Sequence, residues 1–216
     1  MPPPGPRPRP TRRPPDRGRR NYQRLTRVKA TYDPANGRRV PEVGTWAIDP
    51  SHASFEFVAR HLMAKVRGRF PDVSGQVHIT EVPEESSLGI EIDASAIDTR
   101  DADRDAHLRS SDFFRVEDHP TISFRSTAVR RGEGESKWKV DGDLTIRWIT
   151  RPVIVDVEFL GGAIDPWGNQ RIGFSGVVPE VNREDWGLKW NAALETGGFL
   201  LSKLVRLEIE AELIRK

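Results

Sequence analysis

The chain has 216 residues, with 34 Lys and Arg against 32 Asp and Glu, a formal net charge of +2. Residues 1–43 hold 12 of the basic residues, 3 of the acidic ones and 10 of the 17 prolines, which leaves residues 44–216 at −7. The absence of cysteine excludes disulfides, thiolate zinc sites and iron–sulfur clusters, and no apolar run reaches the roughly 20 residues of a membrane-spanning helix.

The composition divides the chain at Gly44. Residues 1–43 read as a disordered Pro/Arg-rich arm, because residues 1–20 have no apolar period and too little surface to bury. The arm's charge is compatible with contact to an anionic membrane. Nucleic acid is not expected, since only Tyr22 precedes Tyr32 to supply stacking aromatics. No apolar signal core precedes Trp46, so the expected address is cytoplasmic, at most peripheral to a membrane.

Residues 44–216, about 170 residues, suit one domain, and their dominant period is two. Phe55 and Phe57 alternate, as do Val77 and Ile79, and then Leu88, Ile90 and Ile92. Asp98–Phe114 breaks the alternation. There Asp101 or Asp103 can cap a short helix through about Ser110. Ile122 and Phe124 resume the period. Lys137–Trp148 shows it best, with Trp138, Val140, Leu144, Ile146 and Trp148 on one face and charged or polar residues on the other. Val153, Val155, Val157 and Phe159 repeat it, and so do Leu207, Ile209, Ala211 and Leu213. About eight antiparallel strands, each with one apolar face, predict an all-β domain, either a two-sheet sandwich or a closed barrel. Long strands in simple succession favour the barrel, whose interior is either filled or hollow enough for one small ligand.

Motifs of catalysis and metal binding are absent. Asp101, Asp103, Asp105 and Asp112 have calcium-loop spacing, but Ala106 and Asp112 stand where Gly and Glu are required. His52, His61, His78, His107 and His119 form no chelating pair. Gly173-Phe174-Ser175-Gly176 lacks the spacing of a nucleophile elbow. Neither a cofactor nor a metal is expected.

From Gly44 onward the chain resembles the YceI-like family of lipocalin-like barrels. The resemblance rests on Trp46–His52, Arg60–Met63, Lys65–Phe70, Arg104–Ser110 with Asp112-Phe113-Phe114, His119-Pro120, Gly142–Ile146, Thr150–Val153, Asp165–Asn169, Asn182–Gly187 and Asn191–Gly198. It implies an extended eight-stranded antiparallel barrel over residues 44–216, with a short helix near its mouth. It also implies non-catalytic binding or carriage of a polyisoprenoid or related amphiphile, such as a prenyl diphosphate, a quinone or a fatty acid or amide. Three departures stand out. Trp148 replaces the usual Gly and is expected to seal one end or fill the cavity, Ala53 replaces Ser, and Ser202-Lys203 replaces a Gly-Asp turn, which puts the last hairpin in question.

On this reading the cavity wall is Phe55, Phe57, Leu88, Ile90, Ile92, Phe124, Trp138, Val140, Leu144, Ile146, Val155, Val157 and Phe159. The head group falls to His61, Arg104, His107 and Arg109, because arginine suits a phosphate. The competing expectation pairs the arginines with Asp101, Asp105 or Asp112. Alternatives for the whole domain are a filled barrel acting as a stress or protein-interaction module, and an enzyme using His61, His107 and Asp105. The expected partner is a long-chain lipid. A homodimer is compatible with the resemblance, though no exposed apolar strip requires one.

Overall fold

The alternating segments become strands, and the strands close on themselves. The computed structural model describes Met1, residues 39–193 and residues 200–216, together with two short strands, β1 (Thr26–Arg27) and β2 (Thr31–Tyr32). After β3 (Arg39–Val40) come β4 (Gly44–His61), β5 (Ala64–Phe70), β6 (Val73–Ile79), β7 (Ser87–Asp93), helix α1 (Ala102–Arg109), β8 (Thr121–Arg131), β9 (Lys137–Ile146), β10 (Ile149–Ile164), β11 (Gln170–Asn182) and β12 (Leu201–Arg215).

The strand order is β10-β11-β12-β4-β6-β7-β8-β9, and β9 pairs with β10 to complete the circuit. β5 and β6 behave as one strand broken at Pro71-Asp72. β5 pairs with the second half of β4, from Phe55↔Phe70 to His61↔Ala64, and β6 with its start, from Gly44↔Ile79 to Ala47↔Gln76. Counted so, the barrel has the expected eight strands, all antiparallel. Antiparallel succession places the β4–β5 and β9–β10 turns, the α1 connection and the β11–β12 connection at one end, the helix end. Residues 39–43 and the β6–β7, β8–β9 and β10–β11 turns lie at the other.

Two features of the chain differ from the composition-based division and from the expected turns. Residues 39–43, assigned by composition to the arm, pack on the barrel. Val40 is buried, the Glu42 carbonyl accepts from Trp46 Nε1 at 3.0 Å, and the Glu42 carboxylate pairs with Arg215 at 2.5 Å. Within the same stretch β1 pairs with β10 and β2 with β3; the rest of the expected arm lies outside the described residues, Met1 apart. Ser202 and Lys203 make no turn. They sit inside β12, where Ser202 Oγ accepts from the Arg60 amide at 3.0 Å. The expected match at Leu194–Gly198 lies outside the described residues.

The end opposite the helix is clamped by a mostly buried ion network. Between Ala53↔Ala211 and Ile48↔Leu213, β4 advances five residues while β12 advances two, so β4 bulges at Asp49–His52. Asp49 there accepts from Ser51 Oγ at 2.6 Å and from Arg171 Nη1 at 2.7 Å, and it contacts His52 Nδ1 at 2.9 Å. Arg171 Nε donates to Asp165 at 2.8 Å, and Asp165 orders the β10–β11 turn by accepting from the Trp167 and Asn169 amides at 2.9 Å. The Ser51 hydroxyl, with Arg171 and His52, holds the Asp49 carboxyl well below the usual range. Burial pushes the Asp165 carboxyl up, but Arg171 and Asn169 outweigh it and hold that group low as well.

Carboxylates with depressed folded-state pKa values contribute stability that is complete above about pH 4 and lost as pH falls below it. Arg171→Met therefore lowers Tm by at least about 5 °C at neutral pH, because two carboxylates lose their shared cation. In thermal unfolding across pH, the gap from wild type narrows below about pH 4, where these carboxylates protonate.

Candidate functional site

The barrel interior is not filled. Inward residues such as Ile90, Val157, Leu207 and Ile209 are only partly buried although they face inward, because they border a cavity of about 660 Å³. This lies within the range of about 300–1,000 Å³ typical of small-ligand sites. The lining is overwhelmingly apolar and comes from every strand of the circuit.

Twelve of the thirteen expected wall residues line it: Phe55, Phe57, Leu88, Ile90, Ile92, Phe124, Trp138, Val140, Leu144, Ile146, Val155 and Val157. Phe159 does not. It packs in the cluster of Trp46, Ile48 and Ile172, tilted on Phe174 at 5.4 Å and 6.0 Å from the Arg39 guanidinium. Sequence reasoning missed Phe70, Val178, Trp186, Trp190, Leu207 and Ile209. The alternation of Leu207 and Ile209 with charged neighbours carried the signal for those two.

Two glycines shape the wall. A Cβ on Gly142 would lie 2.3 Å from Cζ of the Phe124 ring, and one on Gly68 would lie 2.3 Å from the Phe57 ring. The missing side chains let both rings approach the backbone of the neighbouring strand closely.

Most polar lining gathers at the helix end, where His61, Asp103, Arg104, His107, Arg183 and Ser202 meet the cavity; Glu56 and Ser175 on the strands, and Ser86 and Ser87 at the other end, supply the rest. The Asp101 carboxylate caps α1 by accepting from the Arg104 amide at 3.0 Å. Arg104 donates through Nε to Thr99 Oγ1 at 2.7 Å and through Nη2 to the Thr99 carbonyl at 2.8 Å, and lies 3.9 Å from Asp101. Arg109 does not line the cavity; it donates to the Ser95 and Ile97 carbonyls at 2.6 and 2.7 Å. His107 contacts Asp112 at 2.9 Å, with its ring edge-on to Phe113 and Trp190. The helix is thus strapped to residues 95–99 by three backbone carbonyls, by the Thr99 hydroxyl and by the Asp105 carboxylate; of the expected arginine–aspartate pairs, Arg104–Asp101 forms, at 3.9 Å.

Trp148 departs from expectation. It is 77% exposed and lies outside the cavity. Arg147 and Trp148, with φ of 53° and 61°, form a two-residue hairpin turn between the paired Ile146 and Ile149. The strand ends at Ile146, so the inward alternation does not continue to Trp148.

The acidic segment has structural work: Asp105 accepts from the Thr99 amide and hydroxyl, and Asp112 meets His107. No hydrogen bond joins any two of His61, His107 and Asp105 among the described residues, and no group of three metal-ligating side chains occurs there.

An eight-stranded antiparallel barrel closed around an apolar, ligand-sized cavity is a binding barrel of the lipocalin-like type. The chain belongs to the YceI-like domain family, which it matches over residues 46–213. It is 38% identical over 170 residues to a UPF0312 protein of Staphylococcus aureus, covering 77% of this chain and 95% of that one. The YCEI protein of Campylobacter jejuni superposes with a TM-score of 0.62 at 27% identity, covering 73% of this chain and 90% of that one. A polyisoprenoid binding domain from Saccharophagus degradans, implicated in plant cell wall breakdown, superposes with a TM-score of 0.57 at 15% identity, over 81% of this chain and all of that one.

Gly142→Ala is expected to destabilise the barrel by about 1–3 kcal/mol, since the added methyl meets both the Phe124 ring and the Arg125 carbonyl. Denaturant unfolding measures this.

Proposed function

We propose that the barrel binds an amphiphilic lipid without acting on it chemically. Its long chain, a polyisoprenoid or another hydrocarbon tail, lies along the cavity with the head group toward the helix end. The single observation that carries this reading is the continuous apolar cavity, whose polar lining lies chiefly at its helix end. Each methylene moved from water into such a lining contributes about 0.8 kcal/mol. A chain of some twenty carbons therefore contributes about 16 kcal/mol, of which micromolar affinity takes about 8 and leaves about 8 to offset association costs. The printed description of the Saccharophagus domain as polyisoprenoid-binding supports the ligand class.

His61, Arg104 and His107 are the head-group candidates that border the cavity, whereas Arg109 is committed to the carbonyls of Ser95 and Ile97. A prenyl diphosphate, quinone or fatty acid or amide all meet this description. A barrel acting only through its outer surface accounts less well for the hollow interior, because an unfilled apolar cavity costs stability that binding recovers. Catalysis by His61, His107 and Asp105 finds less support, given the separate partners of Asp105 and His107.

Mass spectrometry of an organic extract of the purified protein should find a long-chain lipid. Val157→Trp, which fills the cavity from one wall, should abolish uptake of a prenol, a quinone and a fatty acid while leaving the Tm within a few degrees of wild type. A clean extract together with no uptake by the wild type in titration would overturn the proposal.

A further inference from the structure

The β4–β5 hairpin stands apart in charge from the acidic domain that carries it. Between Glu56 and Asp72 there is no carboxylate, while Arg60, Lys65, Arg67 and Arg69 fall in that stretch. Its tip is Leu62-Met63. Met63 is 92% exposed and Leu62 47%, and Leu62 adopts φ 52°, a left-handed conformation that Gly or Asn takes at lower cost. Two large apolar side chains at an exposed tip, one of them on a strained backbone, serve neither the core nor solubility.

The flank of the hairpin adds a second, independent feature. β5 bridges to the rest of the chain at Arg69↔Asp98, and beyond that point residues 98–104 diverge from its free edge. The resulting groove is lined by Lys65, Arg67, Arg69, Arg100 and Arg104, against the carboxylates of Glu56 and Asp98. Arg67 pairs with Glu56 and Glu208, and Arg69 with Asp98. The five cations exceed the two carboxylates of the lining by three, and still exceed them by one when Glu208 and Asp101, which pair from outside it, are counted; Lys65 and Arg100 stand outside these ion pairs. Arg104 and Val66 border both this groove and the apolar cavity, so the two share a wall.

We propose that the β4–β5 hairpin docks the barrel on an anionic bilayer, with Leu62 and Met63 entering the interface and the basic groove receiving a phospholipid phosphate. An apolar tip between cations matches the layered chemistry of such a surface, where hydrocarbon lies beneath anionic head groups. Other exposed aromatics lack that setting. Trp148 leans edge-on against His119 at 4.5 Å, in a connection that carries Asp112, Glu117 and Asp118, and Trp167 sits in the turn built on Asp165. Docking does not require a loaded cavity, so it stands apart from the lipid-binding reading.

Co-sedimentation tests this with the full chain, arm included, on vesicles of phosphatidylcholine alone and of equimolar phosphatidylglycerol and phosphatidylcholine. Every variant keeps the arm, so its contribution is constant. Met63→Asp and the double variant Lys65→Gln/Arg100→Gln should each weaken binding to the anionic vesicles about tenfold or more, since each basic residue near such a surface contributes about fivefold. Trp148→Gly and the cavity-filling Val157→Trp should bind as wild type does. Wild-type partitioning by both hairpin variants would overturn the proposal and assign any membrane contact to the arm. A wild-type chain that self-associates without vesicles, and a Met63→Asp chain that does not, would also overturn it, making a second copy the occupant.

Discussion

The closed antiparallel hydrogen-bond circuit is the constraint from which the other features follow. Once β9 pairs with β10 and β12 with β4, the number of strands sets the diameter, and a circuit of eight leaves an interior that side chains can fill or leave hollow. Here they leave it hollow. Valine and isoleucine are the commonest residues of the wall, and two of its phenylalanine rings, Phe57 and Phe124, lie close against glycines of adjacent strands. The cavity is therefore a consequence of side-chain choice on a fixed frame, and its walls are as ordered as the ladder behind them.

The two ends use polar groups in opposite ways. At the end away from the helix, Asp49, Arg171 and Asp165 satisfy one another almost out of contact with water and tie a strand bulge to a turn. This arrangement fixes geometry and offers a ligand little, because its donors and acceptors are already spent. At the helix end, the cations that line the cavity or its flank keep part of their hydrogen-bonding capacity. Arg104 spends two donors on Thr99 while standing at the boundary between the apolar interior and the basic groove.

Much of this architecture was legible in the sequence, and each failure has a physical cause. Alternation in Lys137–Ile146 and Val153–Val157 identified strands and their inward faces, and the acidic start of α1 narrowed its cap to Asp101 or Asp103, of which Asp101 takes the place. Trp148 was misplaced because a two-residue turn in left-handed conformation follows Ile146, and a period-two count carries no information about where a strand ends. Phe159 keeps the inward parity but lies beyond the reach of the cavity, just before the irregularity between Phe159 and Gly161. The partners of Arg104 and Arg109 were hidden for another reason. Backbone carbonyls accept hydrogen bonds whatever the residue, so no sequence pattern marks the carbonyls of Ser95, Ile97 and Thr99 as acceptors. Arg171 was overlooked because its two carboxylates, Asp49 and Asp165, meet only after the barrel closes.

The seam between β12 and β4 carries a further implication. Phe55 pairs with Ile209, about 150 residues later in the chain. Loop-closure entropy makes such a pairing slow and late. During synthesis, every other strand of the circuit leaves the ribosome before β12 does. The open edge of β4 and the apolar inner face stay exposed for that interval, the period when a nascent chain is most prone to aggregate. The feature that closes the finished barrel thus makes its assembly all-or-none in time, with the hollow interior appearing only when the last strand is in place.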